Sequence, residues 1–458
     1  MSAMSPKDKN VEKPNRLSRL VFIWMAGTII LLPVKFFNLP LNLEVVDLWI
    51  LIGLPFLLVL HGLDRHRIVN IVYVIPIWLI IMASLLATFI SPSFPSSLTV
   101  ILKESYLFVW FLAIVIFLSV MTTLELRRVM YVWTAVAVVH GLLVIVQFFV
   151  PEVWRFTSSL GGVEVKYEIY RPSGLFISSH AGDANKAAIF QMLGFVPLLL
   201  AGFSRRMTYL LGTILFVAIL LTGSMGATTA TIWGITIAVK AVAFSKRRPS
   251  IFVDVFSRIL FISLLLGSVF YPIVTLNQRY LDHFQGIIIG RFDRSSGNRV
   301  NLWQRGVDVL LEHKSFLWGV GPENFRELDA EQTDNQLHND FLAFLVERGL
   351  IGALGLALFI LVAFRSAFFL LKMSALRPDI VPLGRAVFLG AIVALLIESL
   401  THQVFHTREL WLTLAMLEAT VYKVMVLMNG NQLPTHSTDL RVQPPGNAKP
   451  QTVLSSGK

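Results

Sequence analysis

Apolar residues in this chain gather in long unbroken runs. They form neither the narrow stripe of a surface helix nor the strict alternation of a half-exposed strand. Runs of about 17 to 23 residues recur near 19–37, 45–62, 69–90, 99–121, 128–150, 185–203, 207–223, 225–244, 255–275, 349–371, 384–401 and 408–428. A helix of about 20 residues crosses a hydrocarbon layer of ~30 Å, and in lipid the backbone must satisfy its own hydrogen bonds. The pattern therefore predicts an all-α polytopic membrane protein with about twelve transmembrane helices. Over 207–244 only Thr222-Gly223-Ser224-Met225-Gly226 interrupts the apolar run, and a two-span hairpin fits that length better than one over-long helix.

Composition agrees. Of 458 residues, 55% are hydrophobic and 15% charged, against about 25% charged in ordinary soluble domains. The absence of cysteine excludes disulfide scaffolds, thiolate metal sites and a cysteine nucleophile. The formal charge of +11 invites a nucleic-acid reading. The cations instead mark alternate short loops: Arg65 and Arg67, Arg127 and Arg128, Arg205 and Arg206, Lys246 to Arg248, then Lys372, Arg377 and Arg385. That is the positive-inside pattern. It predicts cytoplasmic termini and no nucleic-acid partner.

The resulting plan is a cytoplasmic tail at 1–18, read as disordered, and transmembrane helices one to nine over 19–275, with an outer loop at 151–184. A large outer loop follows at 276–337, then a His-bearing helix and transmembrane helices ten to twelve over 338–428, and a second disordered tail at 429–458. The first apolar run follows a polar stretch and lacks a small-x-small cleavage site, so it reads as a span rather than a signal peptide.

The large loop holds seven Lys/Arg against nine Asp/Glu, and its Trp303, Phe316, Trp318 and Phe325 argue for an ordered structure. Residues 298–311 read as an amphipathic helix with Val300, Trp303, Val307 and Leu310 as its apolar stripe, and Arg299 one turn above Trp303. The turn-rich stretch Trp318 to Phe325 ends it. A further helix is expected near His338-Asn339-Asp340, capped by Asp334 or Asn335. If it runs on, His338, Leu342, Leu345, Gly349 and Gly352 share one face, since eleven residues advance three turns plus about 20°. That would put an imidazole ~16 Å above a glycine seam open to another helix or a lipid chain. The imidazole is then either an interfacial His held by a backbone carbonyl or a general base.

These segments resemble the O-antigen ligase / O-antigen polymerase superfamily of bacterial envelope glycosyltransferases. The resemblance rests on His338-Asn339, nine residues and then Gly349-Leu350-Ile351-Gly352, on Arg299 with Trp303, on Gly319-Val320-Gly321, and on Arg171-Pro172-Ser173-Gly174-Leu175-Phe176. It covers about residues 165–425. It implies a GT-C-like architecture in the bacterial inner membrane, with a periplasmic active site and no metal or cofactor. The implied donor is a glycan on a polyprenyl (undecaprenyl) pyrophosphate. The implied acceptor is a hydroxyl of lipid A–core or of another lipid-linked glycan, with membrane lipids around both. On this resemblance His338 is the catalytic base, Arg299 and Arg171 bind the donor pyrophosphate, and Gly349 and Gly352 permit close helix approach. Asn339, Arg291, His402 and His406 are possible accessory residues. One departure stands out: where the family commonly has an Arg after the Ser of the 223–224 turn, this chain has Met225, so another cation (Arg171, Lys186 or Arg291) supplies that contact or the donor binds differently.

Weaker signals are the ionisable Lys103, Glu104 and Glu398 within or beside apolar runs. Lys103 and Glu104 read either as an end-of-span pair or as functional groups. Within the superfamily, ligase and polymerase need the same base and the same clamp. A lipid-linked oligosaccharide flippase is a rival, but carriers show paired halves with midplane sites, whereas here only the second half has a large outer loop.

Overall fold

The computed structural model describes residues 16–34, 44–63, 72–160, 172–176, 184–246, 299–329, 336–376 and 386–430. The expected ninth span at 255–275, Arg171, Arg291, Asp334, Asn335 and most of both tails lie outside these residues, while 16–18 and 429–430, expected within the disordered tails, are helical. The regular elements among the described residues are all helices: α1 (Arg16–Leu31), α2 (Val45–Leu63), α3 (Val74–Phe89), α4 (Phe94–Val120), α5 (Thr123–Phe149), α6 (Pro151–Leu160), α7 (Ala184–Leu200), α8 (Arg205–Leu221) and α9 (Met225–Lys246). After these come α10 (299–312), the short α11 (Phe325–Leu328), α12 (Asp340–Leu376), α13 (Val387–Ser399) and α14 (Arg408–Gly430). Four are long and apolar enough to cross a membrane: Phe94–Val120, Thr123–Phe149, Asp340–Leu376 and Arg408–Met428. Residues 207–244 form two helices, α8 and α9, joined at the Thr222–Ser224 turn.

Local chemistry sets the helix ends. Thr122 and Glu125 form a reciprocal capping box at the start of α5. Ser204 accepts the amide of Met207 at the start of α8. Glycine governs the closest crossings. Gly234 of α9 and Gly390 of α13 face each other so tightly that a Cβ on either would stand 2.7 or 2.2 Å from the other's carbonyl oxygen. Small residues allow backbones this near, which suits helices that gain nothing from hydrophobic burial in lipid. Gly355 of α12 likewise receives Ile80 of α3.

A second, smaller core sits at one end of the helical body. There Leu302, Val309 and Leu310 of α10 pack with Val320, Phe325, Leu337, Ala343 and Val346. The amphipathic helix expected in the loop exists, but its buried face is rotated and keeps only Leu310 of the expected stripe in the core. Leu302, Gly306, Val309 and Leu310 point inward, while Val300 and Val307 are 48% and 42% exposed. Those two line an open groove with Trp303, Phe341, Leu342 and Leu345. The four-residue step inside and the seven-residue step outside are both helical, so periodicity alone did not choose between them.

The expectation of one continuous helix face from His338 to Gly352 is also corrected. Helix α12 begins at Asp340, and Asn339 caps it by accepting the amide of Leu342 at 3.1 Å. His338 lies outside the helix at φ 50. The helix then breaks at Gly349, with φ 64 and ψ −167, a region essentially reserved for glycine. Gly349 is approached by the Leu317 carbonyl and the Gly319 amide of the loop that follows α10, not by a neighbouring helix. Gly352 faces the side chain of Arg348, so the helix contact expected of it falls instead at Gly355.

The break frees backbone groups, and the loop takes them up. Val320 donates to the Val346 carbonyl at 3.0 Å, Gly321 donates to the Glu347 carbonyl at 2.9 Å, and Leu350 donates back to the Phe316 carbonyl at 2.9 Å. Gly319 and Gly321, at φ 79 and 99, bend the loop to reach them. An alanine at 349 would enter a forbidden backbone region costing about 1–3 kcal/mol, and its Cβ would stand 2.3 Å from the Leu317 oxygen. Gly349→Ala is expected to lower the melting midpoint of the detergent-solubilised protein by several degrees, read by thermal unfolding monitored with tryptophan fluorescence.

Candidate functional site

The positions of three neighbours fix where His338 stands. The Leu337 carbonyl accepts the Trp303 indole N–H at 3.1 Å, tying this strand of chain to α10. Asn339 is spent on the helix cap. Asp340 is buried, and its Oδ2 accepts the amides of Val404 at 2.8 Å and Phe405 at 3.1 Å. This last contact draws the turn between α13 and α14 against the start of α12. The His402 ring then meets His338 edge-on, with centroids 6.2 Å apart and planes at 69°.

His402 has a partner of its own. Its Nδ1 stands 2.7 Å from Oε1 of Glu398, a carboxylate with no exposed surface at the end of α13. The backbone turn that makes this possible is local: the amides of Thr401 and His402 both bond to the Glu398 carbonyl, at 2.9 and 2.8 Å. A carboxylate this near one ring nitrogen favours the tautomer or charge state that carries a proton there. The α8–α9 turn closes this side. A Cβ at Gly226 would fall 2.3 Å from the Thr401 hydroxyl and 2.7 Å from Oε2 of Glu398, so only glycine lets the turn come so near. The Ser224 hydroxyl beside it is buried and has no hydrogen-bond partner among the described residues, and neither does Oε2 of Glu398.

Arg299, in the first turn of α10, lies within electrostatic reach of the same carboxylate. Burial lowers its pKa from the ordinary arginine value, and the Glu398 charge pulls it back up. The guanidinium keeps its proton regardless. The structure thus brings His338, Asn339, Arg299 and His402 to one end of the bundle, and it adds Glu398 and the Ser224–Gly226 turn. Met225 itself is 45% exposed.

His406 goes elsewhere. Its Nε2 lies 2.7 Å from Glu104, which also binds Arg348. Arg348 is 1% exposed; it donates to Ser84 at 3.0 Å and Glu347 at 3.1 Å and lies 4.3 Å over the Phe344 ring. Glu104 therefore does not form an end-of-span pair with Lys103: its partners lie on α12 and in the 400–407 turn. A parallel cluster joins Arg408 to Glu44 at 2.7 Å and to Asp47, with Tyr106 donating to Asp47 at 2.9 Å. These groups hold the helix ends under the site. Sequence reasoning passed over Arg348 and Arg408, although an Arg at the margin of an apolar run was a signal for both.

The stretch after Arg171 is held firmly. Gln147 accepts the amides of Ser173 and Gly174 at 3.0 and 2.8 Å and donates to the Gly174 carbonyl. His140 accepts the Leu175 amide at 3.1 Å. Gly174, at φ 61, leaves no room for a Cβ, which would stand 2.1 Å from the His140 ring. Phe176 packs edge-on against that ring. Among the described residues no three His, Asp or Glu side chains are grouped to hold a metal ion.

A family model described as O-antigen ligase matches residues 210–360. That interval contains the Ser224–Gly226 turn, Arg299, His338 and the Gly349 break, while Glu398 and His402 lie beyond it. No curated protein matches the chain.

Removing one member of a buried ion pair strands the other, at a cost of about 3–5 kcal/mol. Arg348→Met is expected to be destabilised on that scale. Adding Glu104→Gln should recover at least about 1 kcal/mol of it, since contacting residues couple by 0.5–3 kcal/mol. A double-mutant cycle of unfolding midpoints measures both.

Proposed function

We propose, from the match of residues 210–360 to a family model described as O-antigen ligase, that the chain is a membrane enzyme of the bacterial envelope. It moves a glycan from a polyprenyl (undecaprenyl) pyrophosphate to an acceptor hydroxyl at the periplasmic face of the inner membrane. The observation that carries the reading is the gathering of a guanidinium, two imidazoles and a buried carboxylate around one rim of the helical body.

Each group answers a requirement of the reaction. The acceptor oxygen attacks the anomeric carbon as the bond to the pyrophosphate oxygen breaks. The hydroxyl proton must leave with that attack, and His338 accepts it, as a base near neutrality can. Negative charge grows on the departing pyrophosphate, and Arg299 meets it with a planar fork of donors matched to phosphate oxygens. His402, held by Glu398, lines the wall beside His338. Attack from the face opposite the leaving group inverts the anomeric centre, and no step requires a metal.

The ligase reading, with lipid A–core as acceptor, takes its support from the description of the matching family. Deleting the protein and running surface glycan on a gel tests it. Loss of all attached chains supports a ligase, whereas single-repeat caps would assign a polymerase.

His338→Ala is expected to lower transfer by about 10²- to 10⁴-fold, the span of general base catalysis, with membrane abundance unchanged. Retained turnover in a purified donor–acceptor assay removes the base assignment. Arg299→Lys keeps a charge and loses the fork, so a fall of at least about tenfold is expected, equivalent to ~1.4 kcal/mol of transition-state stabilisation. Near-normal kcat/KM in the same assay would overturn the clamp.

A further inference from the structure

The outer loop carries an apolar turn that the site does not use. Phe316, Leu317 and Trp318 follow one another with 53%, 46% and 42% of their surface exposed. Solvated loops rarely present three large apolar side chains in a row, and such a patch marks a contact surface. The turn is rigid: the Gly319 amide closes it onto the Ser315 carbonyl at 2.6 Å, and Leu350 donates to the Phe316 carbonyl at 2.9 Å.

That second bond places the patch. Leu350, Leu354, Leu358 and Leu361 of α12 are exposed by 37%, 55%, 40% and 62%. Steps of four, four and three residues put them on one helix face. In a helix apolar enough to cross a membrane, such a face meets lipid. The stripe ends at Leu350, where the Phe316-Leu317-Trp318 turn begins. His313 and Lys314 border the turn and are exposed, so the lysine stem can lie along apolar surface with its ammonium among phosphates. A tryptophan beside a cation at the top of a lipid-facing stripe is the composition of a bilayer interface.

We propose that the 316–318 turn is embedded in the bilayer, in the interfacial layer of the leaflet next to the candidate site, as a continuation of the lipid-facing stripe of α12. The partner is the lipid surface itself. Because the same turn supplies the Phe316 carbonyl that takes the Leu350 amide just past the Gly349 break, the membrane surface and the kink are held at one height. The inference goes beyond the transferase reading and stands or falls independently of it.

The chain has no cysteine, so single-cysteine labelling is unambiguous. Leu317→Cys, with Phe316→Cys as a second position, is labelled with bimane and placed in phosphatidylglycerol/phosphatidylethanolamine nanodiscs. Leu358→Cys serves as the lipid-facing comparator and Glu312→Cys, on exposed α10, as the aqueous one. The proposal expects iodide to quench position 317 at least threefold less than position 312. It also expects a lipid carrying a nitroxide near its headgroup to quench position 317 at least as strongly as position 358. Iodide quenching equal to that at 312 would overturn it, as would protection from both quenchers, which would mean that protein, such as a second copy of this chain, covers the turn.

Discussion

At Gly349 the helix that carries the second half of the molecule has to break and still leave no buried backbone group unpaired. Two carbonyls, Val346 and Glu347, lose their helical partners there, and the amides of Val320 and Gly321 replace them. Orphaned backbone groups cost as much as lost hydrogen bonds, so the loop is bound to the kink by necessity. That docking fixes the α10 side of the candidate site. It sets α10 beside the start of α12, lets Trp303 hold Leu337, and so decides where the His338 ring stands.

Buried charge supplies the second constraint. Arg348, Glu104 and His406 join α12, α4 and the 400–407 turn, and Arg408 with Glu44 and Asp47 joins α14 to the start of α2. Such clusters add little stability over apolar packing but are costly to break, so they favour one arrangement of helix ends over its neighbours. Asp340 adds its two amide contacts to the same turn. The turn carrying His402 is thereby tied to α12 through Asp340 and to α4 through Glu104, which is what a pair of facing imidazoles requires.

Much of the candidate site was legible in advance because its signals were local. His338, Arg299, Gly349 and the Gly319-Val320-Gly321 turn stood out by residue type and spacing. The face of α10 and the start of α12 were misread for a common reason. A sequence period identifies a helix, yet which of two candidate stripes is buried depends on what docks against it. Likewise the cap at Asn339 and the positive φ of His338 arise only once the loop has closed.

The chain alone therefore determined the apolar runs, their helical form and the order of the glycine, arginine and histidine signals, since each depends on residues within a few turns of one another. Tertiary structure decided the partnerships. Glu104 finds Arg348 across 244 positions and His406 across 302, and Arg299 comes within electrostatic reach of the Glu398 beside His402 only after two separate segments fold to the same rim. Contacts between residues so far apart leave no periodicity to read, because they are set by how whole helices pack.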